Sequence, residues 1–190
     1  MATDGKHQKY DKATYRRREI RSWIICLATA VAIALFLRFF VLEMVLVDGQ
    51  SMEPTLHSHQ TLFIEKVTKL FSTLDRGQIV VVKYPDMDGV YVKRIVGIPG
   101  DTIEVKDGAL YLNGNRKEEP YINTDYINYD MEEITVPEDC YFVMGDNRNN
   151  SMDSHDDYIG PIPKENVVGR AIMVIWPLDE IEIVTNVKII

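Results

Sequence analysis

The sequence predicts a mainly β domain, its strands mostly antiparallel, behind a single N-terminal transmembrane helix. Three observations predict it. Residues 23–42 form an apolar run with one charge, Arg38. After Gln60 the chain breaks into short runs rich in Val, Ile, Tyr and Phe, bounded by turn residues. Two of these runs end in Asx-Gly pairs, the chemistry of tight hairpin turns.

The elements follow in order. Residues 1–22 hold seven Lys or Arg against Asp4, Asp11 and Glu19, so the segment is basic. The 20 residues from Trp23 to Leu42 would span ~30 Å as a helix, the thickness of a hydrocarbon core. The basic cluster "RRREIR" just before them places residues 1–22 in the cytoplasm and residues 43–190 outside. Arg38 lies near the outer end, where its side chain reaches the interface. A cleavable leader would need small residues after the apolar run; here the chain reads "LRFFVLEMV". "VLEMVLV" and "LFIEKVTKLF" suit either apolar contact with the outer interface or core strands, and core is the better fit.

Further on, "TLFIEKV", "QIVVVKYP", "YVKRIVGI", "TIEVKDGALYLNG", "EEITV", "CYFVMGD", "VVGRAIMVIW" and "IEIVTNV" read as strands. Asp107-Gly108 suits a type I′ turn, and Asn113-Gly114 closes the next strand. No long amphipathic helix competes outside the apolar run. Residues 43–190 therefore form one β-rich domain, with Greek-key or barrel-like closure compatible with the pattern.

Charge and composition exclude some functions. The net charge of -8 is unevenly spread, and the β-rich part is strongly acidic. Nucleic acid is excluded as a partner of that part, because phosphate binding needs a basic face. Cys26 sits in the apolar run and Cys140 far along the chain, so they are not natural partners. The four histidines, His7, His57, His59 and His155, form no metal-type spacing with the cysteines and no HExxH pattern.

The chemistry turns on Ser51. Gly49 gives the backbone freedom before it, and Pro54 restricts Glu53 after it. Such a turn exposes a hydroxyl and aims a backbone N–H beside it, which an oxyanion hole requires. A serine between Gly and Pro is also an ordinary turn residue. A hydroxyl needs a base to become a nucleophile. The histidines supply one option, with His57 and His59 flanking a turn and His155 followed by Asp156 and Asp157. Lys93 supplies another. It is adjacent to Arg94 in an apolar strand, so alternation sends the two side chains to opposite faces, and one faces inward. A buried lysine without a carboxylate loses its proton readily and serves as a base. The alternative is an edge-strand lysine facing water.

Four stretches together resemble the bacterial type I signal peptidase family: "SMEPTL" (51–56), "RGQIVVVKYP" (76–85), "YVKRIVGIPGD" (91–101) and "GDNRNNSMDS" (145–154). They stand in the family's order behind an apolar N-terminal segment. The resemblance implies a membrane-bound serine endopeptidase on a mainly β domain of the signal peptidase type. Ser51 would be its nucleophile and Lys93 its general base. It implies that Met52 lies beside the substrate and that Ser151 hydrogen-bonds the lysine amine. Asp146, Arg148 and Asp153 would brace the site. It implies no metal and no cofactor. The partners it implies are secretory preproteins, cut after small residues such as Ala, and the lipid bilayer of a bacterial cell membrane. The related endoplasmic-reticulum enzymes carry His where this chain has Lys93.

Two positions depart from the family. Arg commonly follows the Asp-Ser pair, and here His155 stands there, so a titratable Asp153–His155 contact would replace an ion pair. Some members carry a serine two residues before the nucleophile; Gly49 stands there, so oxyanion stabilisation would rest on the Ser51 backbone N–H. Two other classes share parts of the pattern. A self-cleaving Ser-Lys repressor would need a soluble chain with a DNA-binding head. An anchored β module that binds exported chains without cutting them differs only in activity.

Overall fold

The computed structural model describes residues 12–36, 42–68 and 73–189. They fall into two compact units, a helix and a β body. The helix α1 spans Lys12–Phe36. Its side chains are exposed all the way from 15 to 35, including Trp23, Ile24, Leu27 and Ile33. Its polar Thr29 is satisfied internally, the hydroxyl donating to the Ile25 carbonyl at 2.8 Å. Among the described residues, however, no helix is long and apolar enough to cross a membrane. Residues 37–41 of the expected anchor lie outside the described residues. Its expected last residue, Leu42, belongs instead to the first strand.

The body is built from β1 (Leu42–Leu46), β2 (Thr61–Glu65), β3 (Ile79–Val82), β4 (Tyr91–Gly97), β5 (Thr102–Lys106) and β6 (Ala109–Leu112). It continues with β7 (Asn115–Arg116), β8 (Met131–Thr135), β9 (Cys140–Met144), β10 (Ile162–Pro163), β11 (Val167–Trp176) and β12 (Glu182–Ile183). One sheet has the order β1-β2-β11-β3-β4-β9-β10, with β12 on β11; the other has the order β7-β6-β5-β8. Every pairing is antiparallel.

The turn chemistry is as expected. Asp107 and Gly108 have φ of 52° and 72°, as do Asn113 and Gly114, which is the double positive φ of a type I′ turn. The registers Lys106↔Ala109 and Leu112↔Asn115 leave two-residue loops.

The strand β1 divides the two uses expected of "VLEMVLV". Val45 and Val47 enter the core with Leu62 and Ile64, while Met44 and Leu46 stay exposed. A half-buried edge strand presents alternate residues to opposite faces.

What positions the site is β4. It lies between β3 and β9, pairing Val80 with Lys93, Ile79 with Arg94 and Arg94 with Met144. Six of its seven residues are buried. The edge-strand alternative for Lys93 therefore fails. Lys93 and Arg94 both face inward. Alternation does send them to opposite faces, but both faces are covered by packed side chains.

Candidate active site

Ser51 opens a turn whose neighbours are pulled inward. Met52 and Leu56 are both 1% exposed and join the cluster of Val45, Leu62, Ile64 and Val174. The Leu56 N–H donates to the Met52 carbonyl at 3.0 Å, which tightens the turn. Gly49 before it has φ of 101°, a conformation that favours glycine. With both ends held, Ser51 is left half-buried at the lip of a cleft.

The segment after β9 grips the turn from the other side. The Asn147 N–H donates to the Ser51 carbonyl at 3.0 Å, and Asn147 Nδ2 donates to the Gln50 carbonyl at 3.1 Å. Gly145 makes this approach possible. A Cβ there would run into the Ser51 carbonyl oxygen and the Ser151 hydroxyl. Met52, expected beside the substrate, follows Ser51 directly in the chain, with its side chain buried in the core. The methionine on the cleft is Met152, 43% exposed. The cleft has a volume of about 390 Å³ and is lined by Asp48, Gly49, Gln50, Ser51, Tyr91, Lys93, Asn150 and Met152.

Lys93 Nζ is hydrogen-bonded to Ser51 Oγ at 2.7 Å. Lys93 is 3% exposed and, among the described residues, has no ion pair. Burial pushes its pKa down to about 8, against the opposing pull of Asp153 and Asp146. A neutral amine within hydrogen-bond distance of a serine hydroxyl can accept its proton. The histidine options do not meet that condition. His57 and His59 are exposed, and His155 is committed to Asp153.

Asp146, Arg148 and Asp153 are buried and Ser151 is half-buried, but the bonds differ from the expected pattern. Ser151 Oγ donates to Asp153 Oδ2 at 2.5 Å, where a bond to the lysine amine was expected. The same oxygen accepts the Gly145 N–H at 2.8 Å. Asp153 Oδ1 meets His155 Nδ1 at 2.7 Å, so the His155 substitution does produce the direct contact. The His155 ring in turn stacks on Tyr129, with centroids 4.1 Å apart. Burial alone would raise the Asp153 pKa; His155, Ser151 and the Gly145 N–H outweigh it and hold the carboxyl below its usual value.

Asp146 takes a fork from Arg94, Nε to Oδ1 at 2.8 Å and Nη2 to Oδ2 at 2.6 Å, and a bond from Thr55 Oγ1 at 2.6 Å. Arg94 also donates to the Gly77 carbonyl at 2.7 Å. Arg148 donates to Glu119 at 2.5 and 2.6 Å and to the Gly145 carbonyl at 3.1 Å. Both guanidiniums lie over the Tyr121 ring, at 4.5 and 5.9 Å from its centroid. A fork of two hydrogen bonds on a carboxylate fixes direction as well as charge.

The sequence assigned no role to Arg94, Thr55, Glu119, Tyr121, Gly145 or Met152. A charged residue inside an apolar strand was a usable signal for Arg94. Glu119 and Tyr121 stand in an unpatterned stretch that carried none.

A serine hydroxyl paired with a buried lysine, in a cleft of an antiparallel β domain, is the layout of a Ser-Lys hydrolase. Comparison with known proteins narrows the class. The family profile described as "Signal peptidase, peptidase S26" matches residues 20–176. The chain is 38% identical over 180 residues to "Signal peptidase I" of Bacillus licheniformis, covering 90% of this chain and 96% of that one. It is 39% identical over 175 residues to "Signal peptidase I S" of Bacillus subtilis, covering 87% and 94%. A crystal structure of a signal peptidase I from Enterococcus faecalis is 31% identical, covering 52% of this chain and 97% of that one at a TM-score of 0.45. The chain belongs to the signal peptidase family, peptidase S26, and is a hydrolase of the signal peptidase I kind.

Proposed function

We propose that this chain removes N-terminal signal peptides from exported preproteins with a Ser51/Lys93 dyad. The observation that carries the reading is the 2.7 Å hydrogen bond between Lys93 Nζ and Ser51 Oγ, made by a lysine whose pKa burial has lowered to about 8.

The 2.7 Å contact supports the following steps. Neutral Lys93 takes the Ser51 proton as Oγ attacks the scissile carbonyl. The Ser51 backbone N–H stabilises the oxyanion. The protonated Lys93 gives its proton to the leaving amine, and the peptide bond breaks. Lys93 then takes a proton from water, which attacks the acyl-serine, and the proton returns to Ser51 Oγ as the acid leaves. Ser151 acts through Asp153, and Asp146 and Arg148 act through the backbone around Gly145. The preferred cut follows a small residue such as Ala.

The chain works at a bacterial cell membrane. The apolar run that begins at Trp23 anchors it, residues 1–22 stay in the cytoplasm, and the β body lies outside. The apolar helix surface described above supports this, as does the basic cluster before it.

Incubating the detergent-solubilised chain with a preprotein and sequencing the new N-terminus tests the reading. The expected result is a single cut after a small residue. An intact preprotein would remove it in favour of an anchored binding module.

A further inference from the structure

The stretch "RGQIVVVKYP" has no role in the chemistry so far, yet its Tyr84 is tied to the cleft. Register puts Val80 opposite Lys93 and Val82 opposite Tyr91, so these four share one face of the sheet. Tyr84 follows two residues after Val82 and is 3% exposed. Its ring lies flat on that of Tyr91, with centroids 4.1 Å apart and planes at 9°. Its hydroxyl donates to the Met152 carbonyl at 2.8 Å. Tyr91 and Met152 both line the cleft that holds Ser51 and Lys93.

We propose that Tyr84 is a specificity-determining positioning residue, which holds the Tyr91 and Met152 sides of the cleft at the spacing that admits only a small substrate side chain. The inference rests on the peptidase reading. Met152 stands in an irregular loop after the turn Arg148–Asn150, outside any strand. A larger side chain entering the cleft pushes this wall outward and must break the Tyr84–Met152 hydrogen bond to do so. Burial first, with Asp153 and Tyr91 adding to it, raises the Tyr84 pKa, so the hydroxyl remains a donor at working pH.

The test uses full-length chain in detergent and two preproteins that differ only in Ala or Val before the cut. In Tyr84→Phe the ring stack stays and the hydrogen bond goes. The Ala:Val ratio of kcat/KM should fall several-fold, up to about tenfold, the worth of one hydrogen bond. The midpoint of the pH profile for the Ala substrate should be unmoved, because Tyr84 does not touch the Ser51–Lys93 pair. Met152→Ala, which trims the wall itself, should lower the same ratio. An unchanged ratio in Tyr84→Phe overturns the assignment, even if activity and stability fall, because a purely structural role would affect both substrates alike. Hydrogen exchange of the Asn150–Ser154 amides gives a readout independent of cutting. If wild type cuts neither preprotein, the peptidase reading fails by itself. Exchange then decides the inference: faster exchange in Tyr84→Phe upholds the tether, and unchanged exchange overturns it.

Discussion

Lys93 Nζ sits 2.7 Å from Ser51 Oγ although the two residues are 42 positions apart in the chain. Two features of the fold bring them together. β4 is central in the large sheet, which keeps water from the amine. Gly145 lets the Ser51 turn settle against the segment after β9. The lysine thus has a hydroxyl beside it and, among the described residues, no carboxylate paired to it, and its pKa falls to about 8 through burial.

Cleavage should therefore follow the neutral fraction of Lys93. The rate is expected to rise through pH 8 and to fall about tenfold for each unit below it, as one ionisation requires. A rate profile from pH 5 to 10 checks this, and a flat profile would exclude a lysine base. Ser51→Ala and Lys93→Met should each abolish cutting while the far-ultraviolet circular dichroism stays that of wild type.

The same lysine should destabilise the fold at neutral pH. Its pKa is lower folded, about 8, than unfolded, near 10.5, so the unfolded chain binds the extra proton between those values. Stability from this group therefore rises with pH across that window, and the full penalty applies below it. Lys93→Met should stabilise the protein at pH 6 by up to about 3 kcal/mol. The gain should vanish above roughly pH 10.5. Denaturant unfolding of the detergent-solubilised chain at the two pH values measures it.

His155 should tune the site through Asp153. Asp153 favours the charged lysine, and His155 contacts that carboxylate at 2.7 Å. In His155→Arg a charge that does not titrate in the working range offsets Asp153 permanently. The acid limb of the rate profile should then move to lower pH. Superimposable profiles for the two proteins would show that His155 has no part in it.

Arg94 and Asp146 should behave as a coupled pair, since both side chains are fully buried. Removing one, in Arg94→Met or Asp146→Leu, leaves the other charge buried without its partner and should cost about 3–5 kcal/mol. The double variant should recover much of that loss, because two apolar groups replace two charges. A double-mutant cycle on unfolding free energies reads the coupling directly, and additive losses would contradict it.

Much of the fold was legible in the chain because strands and hairpins are local. Runs rich in Val, Ile, Tyr and Phe between turn residues marked most of the strands, and the Asp107-Gly108 and Asn113-Gly114 pairs announced their turns through φ alone. The site was legible in part. Ser51 and Lys93, singled out in the sequence, lie 2.7 Å apart, and Asp153 and Arg148 both hydrogen-bond the Gly145 backbone beside them. The two methionines were not distinguishable, since whether Met52 or Met152 faces the cleft depends on which side of its turn the core lies. Glu119 and Tyr121 were invisible, because a loop residue that meets a partner 29 or 27 positions away leaves no periodic trace.

Local chemistry along the chain thus determined which segments become strands, where they turn, and which side chains are chemically able to act. The tertiary structure decided what those side chains become. A lysine has an ordinary pKa until sheet order buries it. A serine is a turn residue until an amine is held against it. Aspartates are acids in water until hydrogen bonds from distant residues replace their hydration. Each of these changes depends on desolvation and on contacts between residues far apart in sequence, which only the folded chain can supply.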